Sequence, residues 1–177
     1  HGALICGDRN LRGHDRDPRH SFHMGRPGIL LGHRLGRLGQ TSGCGMKFIH
    51  LTDTHVVGSG LLYGQDPAER LTEAVTSINA EHSDAEFVIV TGDMTHWGDA
   101  DAYARFADEI TKLQIPFHLM VGNHDDTRSL MQTFPDLPRD ENGFVQQVIE
   151  TPRGRFLLLD TKASEGHAGA YCDKRCD

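Results

Sequence analysis

Asp53-Thr54-His55, Gly92-Asp93 and Gly122-Asn123-His124-Asp125 each stand at the end of a short apolar run. The runs are Phe48-Ile49-His50-Leu51, Phe87-Val88-Ile89-Val90 and Phe117-His118-Leu119-Met120-Val121. Runs of this kind, rich in β-branched and aromatic residues and bounded by turn formers, read as buried strands. In an open α/β sheet, ligands collect beyond the carboxyl ends of the strands. Two carboxylates, an imidazole and an amide carbonyl would then meet at one edge. Hard oxygen ligands mixed with imidazole suit Mn, Fe, Zn or a similar divalent ion, so the leading reading is a shared metal site. Asp53 and His55 are one residue apart, and in an extended segment both side chains would lean to the same side. Gly92 permits a tight turn and close backbone approach just before Asp93.

The elements that must position these residues follow from the intervening pattern. A Gly-rich loop runs over residues 57–64, and Asp66-Pro67-Ala68-Glu69 then opens a helix, with Asp66 as N-cap, Pro67 at the first helical position and Glu69 two residues later. Leu71, Ala74, Val75 and Ile78 recur at helical spacing and would pack on the sheet. Strand two spans residues 86–91. The second helix starts near Asp99 and carries Tyr103, Phe106, Ile110 and Leu113 along one stripe. Pro116 punctuates before strand three, and Asp126 caps a short helix that ends at Phe134-Pro135. Residues 144–150 and 155–160 read as two further strands joined through Thr151-Pro152-Arg153-Gly154, a hairpin. The predicted order is β-α-β-α-β-α-β-β, an α/β layered architecture.

Taken in order, the clusters D-x-H, G-D and G-N-H-D resemble the calcineurin-like metallophosphoesterase superfamily, and within it the bacterial class III cyclic-nucleotide phosphodiesterases and the glycerophosphodiesterases. The resemblance runs from about Met46 to the end of the chain. It implies a four-layer α/β/β/α β-sandwich flanked by helices, of which this chain holds the N-terminal portion and lacks the C-terminal half. It implies two divalent metal ions (Mn, Fe, Zn or Co), with Asp53, His55, Asp93 and Asn123 as ligands and Asp93 bridging the pair. His124 and Asp125 would be catalytic: His124 donates a hydrogen bond to the phosphoryl oxygen or leaving group, and Asp125 orients its imidazole. His96, in Thr95-His96-Trp97-Gly98, lies on the same rim and is read as a substrate-binding residue, with an exposed loop histidine as the competing reading. The implied reaction is hydrolysis of a small phosphodiester, cyclic or acyclic, by a hydroxide held between the two ions. Family members continue with a second half that brings three more histidines, two of them in G-H-x-H. No G-H-x-H follows Asn123, and His167, the one later histidine, reads as part of the loop after the fifth strand.

The rest of the sequence narrows the alternatives. No G-x-S-x-G or P-loop competes for the chemistry. His50 and His118 sit in strands and read as core or supporting residues, and His82 as a surface residue near a helix end. A net charge of −7 argues against nonspecific binding to nucleic-acid polymer, and no run approaches the length of a membrane span. The balance is uneven: residues 1–45 hold seven Arg, no Lys and three Asp, with ten of the twenty Gly. Such a bias reads as a disordered extension or upstream artefact, with Met46 as natural start; the rival is a basic arm that docks on an acidic partner. Residues 46–177 form the domain, and a cytoplasmic location is the expectation. Cys172 and Cys176, spaced C-x3-C, could bind metal from one helical face, but with Cys6 and Cys44 far off, free thiols are expected. Two rivals to a phosphodiesterase stand: a catalytically incomplete metal-binding fragment, and an interaction module whose open sheet edge and bare apolar faces favour homo-oligomers.

Overall fold

Three apolar triplets build the central sheet of the computed structural model, which describes residues 45–176. These are β1 (Ile49–Leu51), β2 (Val88–Val90) and β3 (Phe117–Leu119), joined in the order β1-β2-β3 with both pairings parallel. The expected extension over residues 1–45, its reading as a basic arm and its two cysteines fall, Gly45 aside, outside the described residues. Crossovers between the strands are supplied by α1 (Pro67–Glu81) and α2 (Ala100–Ile110). A shorter α3 (Thr127–Thr133) follows β3. Then β4 (Gln147–Thr151) and β5 (Gly154–Leu158) form an antiparallel hairpin in a separate sheet. A last turn of helix, α4 (Asp173–Cys176), falls where the C-x3-C spacing allows a helical face but is not among the predicted elements.

Local chemistry explains where the helices begin. Asp66 adopts extended backbone and its carboxylate accepts from the Ala68 N–H at 3.0 Å, with Pro67 just inside the helix, where no N–H is needed. Asp126 accepts from the Ser129 N–H at 2.7 Å in the same way. Asp99 occupies the N-cap position of α2, yet its side chain makes no capping bond, so that helix relies on its buried stripe.

The period-two alternation of the strands separates two apolar layers. Ile49, Leu51, Val88, Val90 and Leu119 meet Leu71, Val75 and Ile78 of α1, Tyr103, Phe106 and Ile110 of α2, and Leu130 of α3. On the opposite face Phe87, Ile89 and Met120 meet Leu158, with Phe48, Ile149 and Phe156 around them. Phe156 crosses Phe48 and Phe87 edge-on at 5.0 and 5.3 Å between ring centroids. His118 on β3 reaches Gln147 on β4 through its Nδ1 at 3.1 Å, tying hairpin to sheet, while His50 pairs with the Thr91 hydroxyl at 2.8 Å. The order of layers is therefore helices, sheet, hairpin. The four-layer sandwich expected from the sequence is present as three layers among the described residues, with Val148 and Leu157 on the outer side of the hairpin 53% and 58% exposed.

Phe106 is fully buried beside Phe134, where the helical layer closes on α3. Phe106→Ala should cost about 3–5 kcal/mol of folding stability, read as a lowered midpoint in urea with an unchanged slope.

Candidate metal centre

The three strands end at the same sheet edge, and the loops after them stay zipped together beyond it. The His55 and Val56 N–H groups donate to the Asp93 and Met94 carbonyls at 2.9 Å each, and the His96 N–H returns to the Val56 carbonyl at 3.0 Å. This continuation of the ladder, with a bridge between Val56 and Thr95, holds the first two clusters against one another. The third is brought in by a pair of glycines. A Cβ on Gly122 would sit 2.2 Å from Asp93 Oδ1, and one on Gly92 (φ 104°) would sit 2.5 Å from the Gly122 nitrogen. Only two residues without side chains let these loops touch.

Asp53, His55 and Asp93 adopt left-handed backbone, with φ of 55°, 44° and 50°. The segment carrying Asp53 and His55 is thus not extended, and they share a direction because both turn the same unusual way. His55 Nε2 lies 3.7 Å from Asp53 Oδ1 and 4.0 Å from Asp93 Oδ2. These three groups each offer an atom within 4.8 Å of the others. Asp93 Oδ1 accepts the His124 backbone N–H at 2.9 Å, which leaves Oδ2 facing the imidazole. Pairing with Asp53 raises the His55 pKa, helped by Asp93, and pairing with His55 lowers that of Asp53. Two carboxylates and an imidazole converging at this separation, on backbone held in sparsely populated conformations, are a donor set that fits a divalent ion.

The G-N-H-D residues divide their work differently from the sequence reading. Asn123 donates through its amide nitrogen to His167 Nδ1 at 2.8 Å, and among the described residues its amide oxygen makes no hydrogen bond. His167 therefore comes back to the site, with its ring 5.3 Å from that of His124. Its position in a Gly-rich loop 44 residues after Asn123 gave no local signal. His124 donates from Nδ1 to the His96 carbonyl at 2.9 Å, which leaves Nε2 free. The expected contact between Asp125 and this imidazole is not made. Asp125 is 1% exposed, and its oxygens accept from the Thr95 N–H at 3.2 Å, the Tyr103 hydroxyl at 3.0 Å and the Gly122 N–H at 2.9 Å. Burial raises the Asp125 pKa despite those donors, and burial followed by the nearby Asp125 charge raises that of Tyr103. Orientation of His124 falls to a main-chain carbonyl, and Asp125 ties the third loop to the second and to α2.

His96 is buried at 8% exposure, so the exposed-loop reading of this residue does not hold. Its ring stacks on that of His124 at 5.1 Å, and its Nδ1 lies 3.2 Å from His55 Nδ1. Burial lowers its pKa, followed by the neighbouring His55 and His124. Lys162, on the loop after β5, donates to the Asp125 carbonyl. His82 is half-buried at the end of α1. Cys172 and Cys176 are exposed and unbridged, and neither joins a metal-holding group among the described residues.

The strand-end loops, the paired glycines and the carboxylate–imidazole cluster agree with the result of comparison with known proteins. The calcineurin-like phosphoesterase family profile matches residues 46–171, and the chain belongs to that family. A probable cyclic nucleotide phosphodiesterase of Rhodopseudomonas palustris is 48% identical over 133 residues, covering 73% of this chain and 48% of that protein. A probable glycerophosphodiester phosphodiesterase of Arcobacter nitrofigilis is 29% identical, covering 73% and 49%. A 3',5'-cyclic adenosine monophosphate phosphodiesterase of Pseudomonas aeruginosa is 24% identical, covering 73% and 46%. The chain spans about half the length of these relatives. No helix among the described residues is long and apolar enough to cross a membrane.

Gly122→Ala should displace the Asp93 carboxylate, since the new methyl would come within 2.2 Å of Oδ1. The expected outcome is a loss of Mn²⁺ affinity of at least about 10-fold by isothermal titration, with helical content by circular dichroism retained.

Proposed function

We propose that this chain carries the nucleophile-generating half of a metal-dependent phosphodiesterase centre, acting on small cyclic or acyclic phosphodiesters. The observation that supports this reading most directly is the convergence of Asp53, His55 and Asp93 at one strand-end edge in a calcineurin-like phosphoesterase. Asp53, His55 and Asp93 would hold the first divalent ion; Asp93 and the unbonded amide oxygen of Asn123 would face the second. Ions bound there lower the pKa of water and neutralise charge on the phosphate. Mn, Fe, Zn and Co all tolerate this mixture of oxygen and nitrogen donors.

The protein's own groups supply the rest. The left-handed backbone sets where the three ligands leave the chain, and the bond from the His124 N–H holds the Asp93 carboxylate before any ligand arrives, so less ordering remains to be done on binding. His124 Nε2, with Nδ1 already committed to the His96 carbonyl, is the group aimed at a phosphoryl or leaving-group oxygen. In its protonated form it donates a charge-assisted hydrogen bond there. His167, held by Asn123, stands on the same side and adds a second imidazole within reach of a bound phosphate. Asp125 contributes as a positioning residue, through the loops it joins.

A second reading rests on the donor count. Among the described residues, the oxygen-rich group draws its acidic and imidazole ligands from Asp53, His55 and Asp93 alone, and Asn123 is tied to His167 through its other amide atom. On that reading the chain holds one ion and hydrolyses weakly or not at all. Isothermal titration with Mn²⁺ separates the two by stoichiometry.

The deciding assay is hydrolysis of bis(p-nitrophenyl) phosphate with Mn²⁺. Asp93→Ala should lower both Mn²⁺ affinity and kcat/KM by at least about 100-fold. His124→Ala should lower kcat by a similar factor, roughly that of losing one preorganised donor, while leaving Mn²⁺ affinity within a factor of a few. Rates for Asp93→Ala equal to those of the unaltered chain would exclude the proposal.

A further inference from the structure

Beside the oxygen-rich group lies a second cluster made of nitrogen alone. His55, His96 and His124 each present a ring nitrogen, all within 4.8 Å of one another, and all three rings are at least half-buried. We propose that these three imidazoles form a distinct site for one borderline-soft divalent ion of the zinc class, with His96 as a ligand that the carboxylate centre does not use.

The geometry carries the assignment. Two nitrogens bound about 2.0–2.1 Å from a tetrahedral ion stand about 3.3–3.4 Å apart. His55 Nδ1 and His96 Nδ1 are separated by 3.2 Å, within a few tenths of that spacing. His124 has the second feature of a metal-binding histidine: its Nδ1 proton is given to a main-chain carbonyl, which fixes the tautomer and directs the Nε2 lone pair outward. The carbonyl belongs to His96, so one ligand is oriented by the main chain of another. His96 itself is 8% exposed and pinned through its N–H to Val56, and its one side-chain hydrogen-bond partner among the described residues is another imidazole. No carboxylate takes part, and three imidazoles with an open fourth position favour Zn, Co, Ni or Cu over Mg, Ca or Mn.

His55 belongs to both clusters through different atoms, and because a neutral imidazole has one free lone pair it ligates in one cluster or the other at a time. Nδ1 faces His96, whereas Nε2 faces Asp53 and Asp93. The nitrogen site also draws on His124. An ion there withdraws Nε2 of His124 from any phosphoryl oxygen, so occupancy of the nitrogen site, unlike that of the carboxylate centre, should oppose hydrolysis. That consequence rests on the function proposed above; the binding does not.

The test uses the full chain and cobalt(II) as probe. A four-coordinate, nitrogen-rich cobalt site gives an intense visible d–d absorption, and a six-coordinate, oxygen-rich one a weak absorption. Asp93→Asn, whose amide oxygen can still accept the His124 N–H, should keep the intense band with affinity within about threefold of the unaltered chain. His96→Ala should lose the band, or weaken cobalt binding by at least about 10-fold, with Mn²⁺ binding retained. His124→Ala provides an independent check from another loop and should also lose it. Addition of Zn²⁺ should bleach the band by displacement. Retention of the band in His96→Ala and His124→Ala, or its loss in Asp93→Asn alone, would overturn the proposal. Either result leaves the Mn²⁺ stoichiometry and the diesterase assay to decide the carboxylate centre separately.

Discussion

Asp125 accepts three hydrogen bonds inside the protein, from the second loop, from its own loop and from α2, and everything at the strand-end edge is arranged around that fact. A carboxylate with almost no exposure is costly unless its lone pairs are met, because the desolvation of the charge is not otherwise repaid. Here the donors are two backbone N–H groups and a phenol whose ring is itself fully buried. The Tyr103 hydroxyl also accepts the Asp126 N–H at 2.9 Å, so the bond that satisfies Asp125 anchors the start of α3 as well. The metal-facing residues sit on either side of this network and inherit its rigidity. Raised by burial, the Asp125 pKa means that the folded state holds this charge at some expense. The sign follows: its contribution to stability is greatest below the ordinary aspartate pKa and is lost as pH rises through the raised one.

Features set by neighbours in sequence were legible before any coordinates. The Asp66 and Asp126 caps, the Pro67 start and the buried stripes of α1 and α2 depend on spacing within one element. The placement of Asp53, Asp93 and Asn123 after β1, β2 and β3 was equally plain, since parallel strands must end together. What the sequence hid was direction. The D-x-H pair reads as extended, yet both residues are left-handed, because the backbone ladder to Asp93 and Met94 decides their conformation and that ladder joins residues about forty positions apart. Asp125 sits next to His124 in sequence but turns toward Thr95 and Tyr103. His96 reads as a rim residue, while its bond to Val56 draws it inward. His167 returns to Asn123 across a loop whose path no local pattern encodes. In each case a long-range hydrogen bond overrode a short-range inference.

The hairpin shows how a partial layer is accommodated. Its inner face, through Ile149, Phe156 and Leu158, closes the apolar side of the sheet. Asp160 then ties the following segment back, accepting from the Val145 N–H at 3.3 Å and facing Arg175 at 3.6 Å, with Arg175 laid over the Phe144 ring at 4.1 Å. Charge, ring and main chain together hold the last described turn near the hairpin, in place of a broad apolar contact.

The left-handed backbone at Asp53, His55 and Asp93 has a price of its own. Each such conformation costs a residue with a side chain roughly 1–3 kcal/mol, and glycine would escape it. A polypeptide selected for stability alone would therefore drift toward Gly at these positions, and every such drift would erase a donor. Robustness and reactivity pull this molecule in opposite directions at the same few bonds.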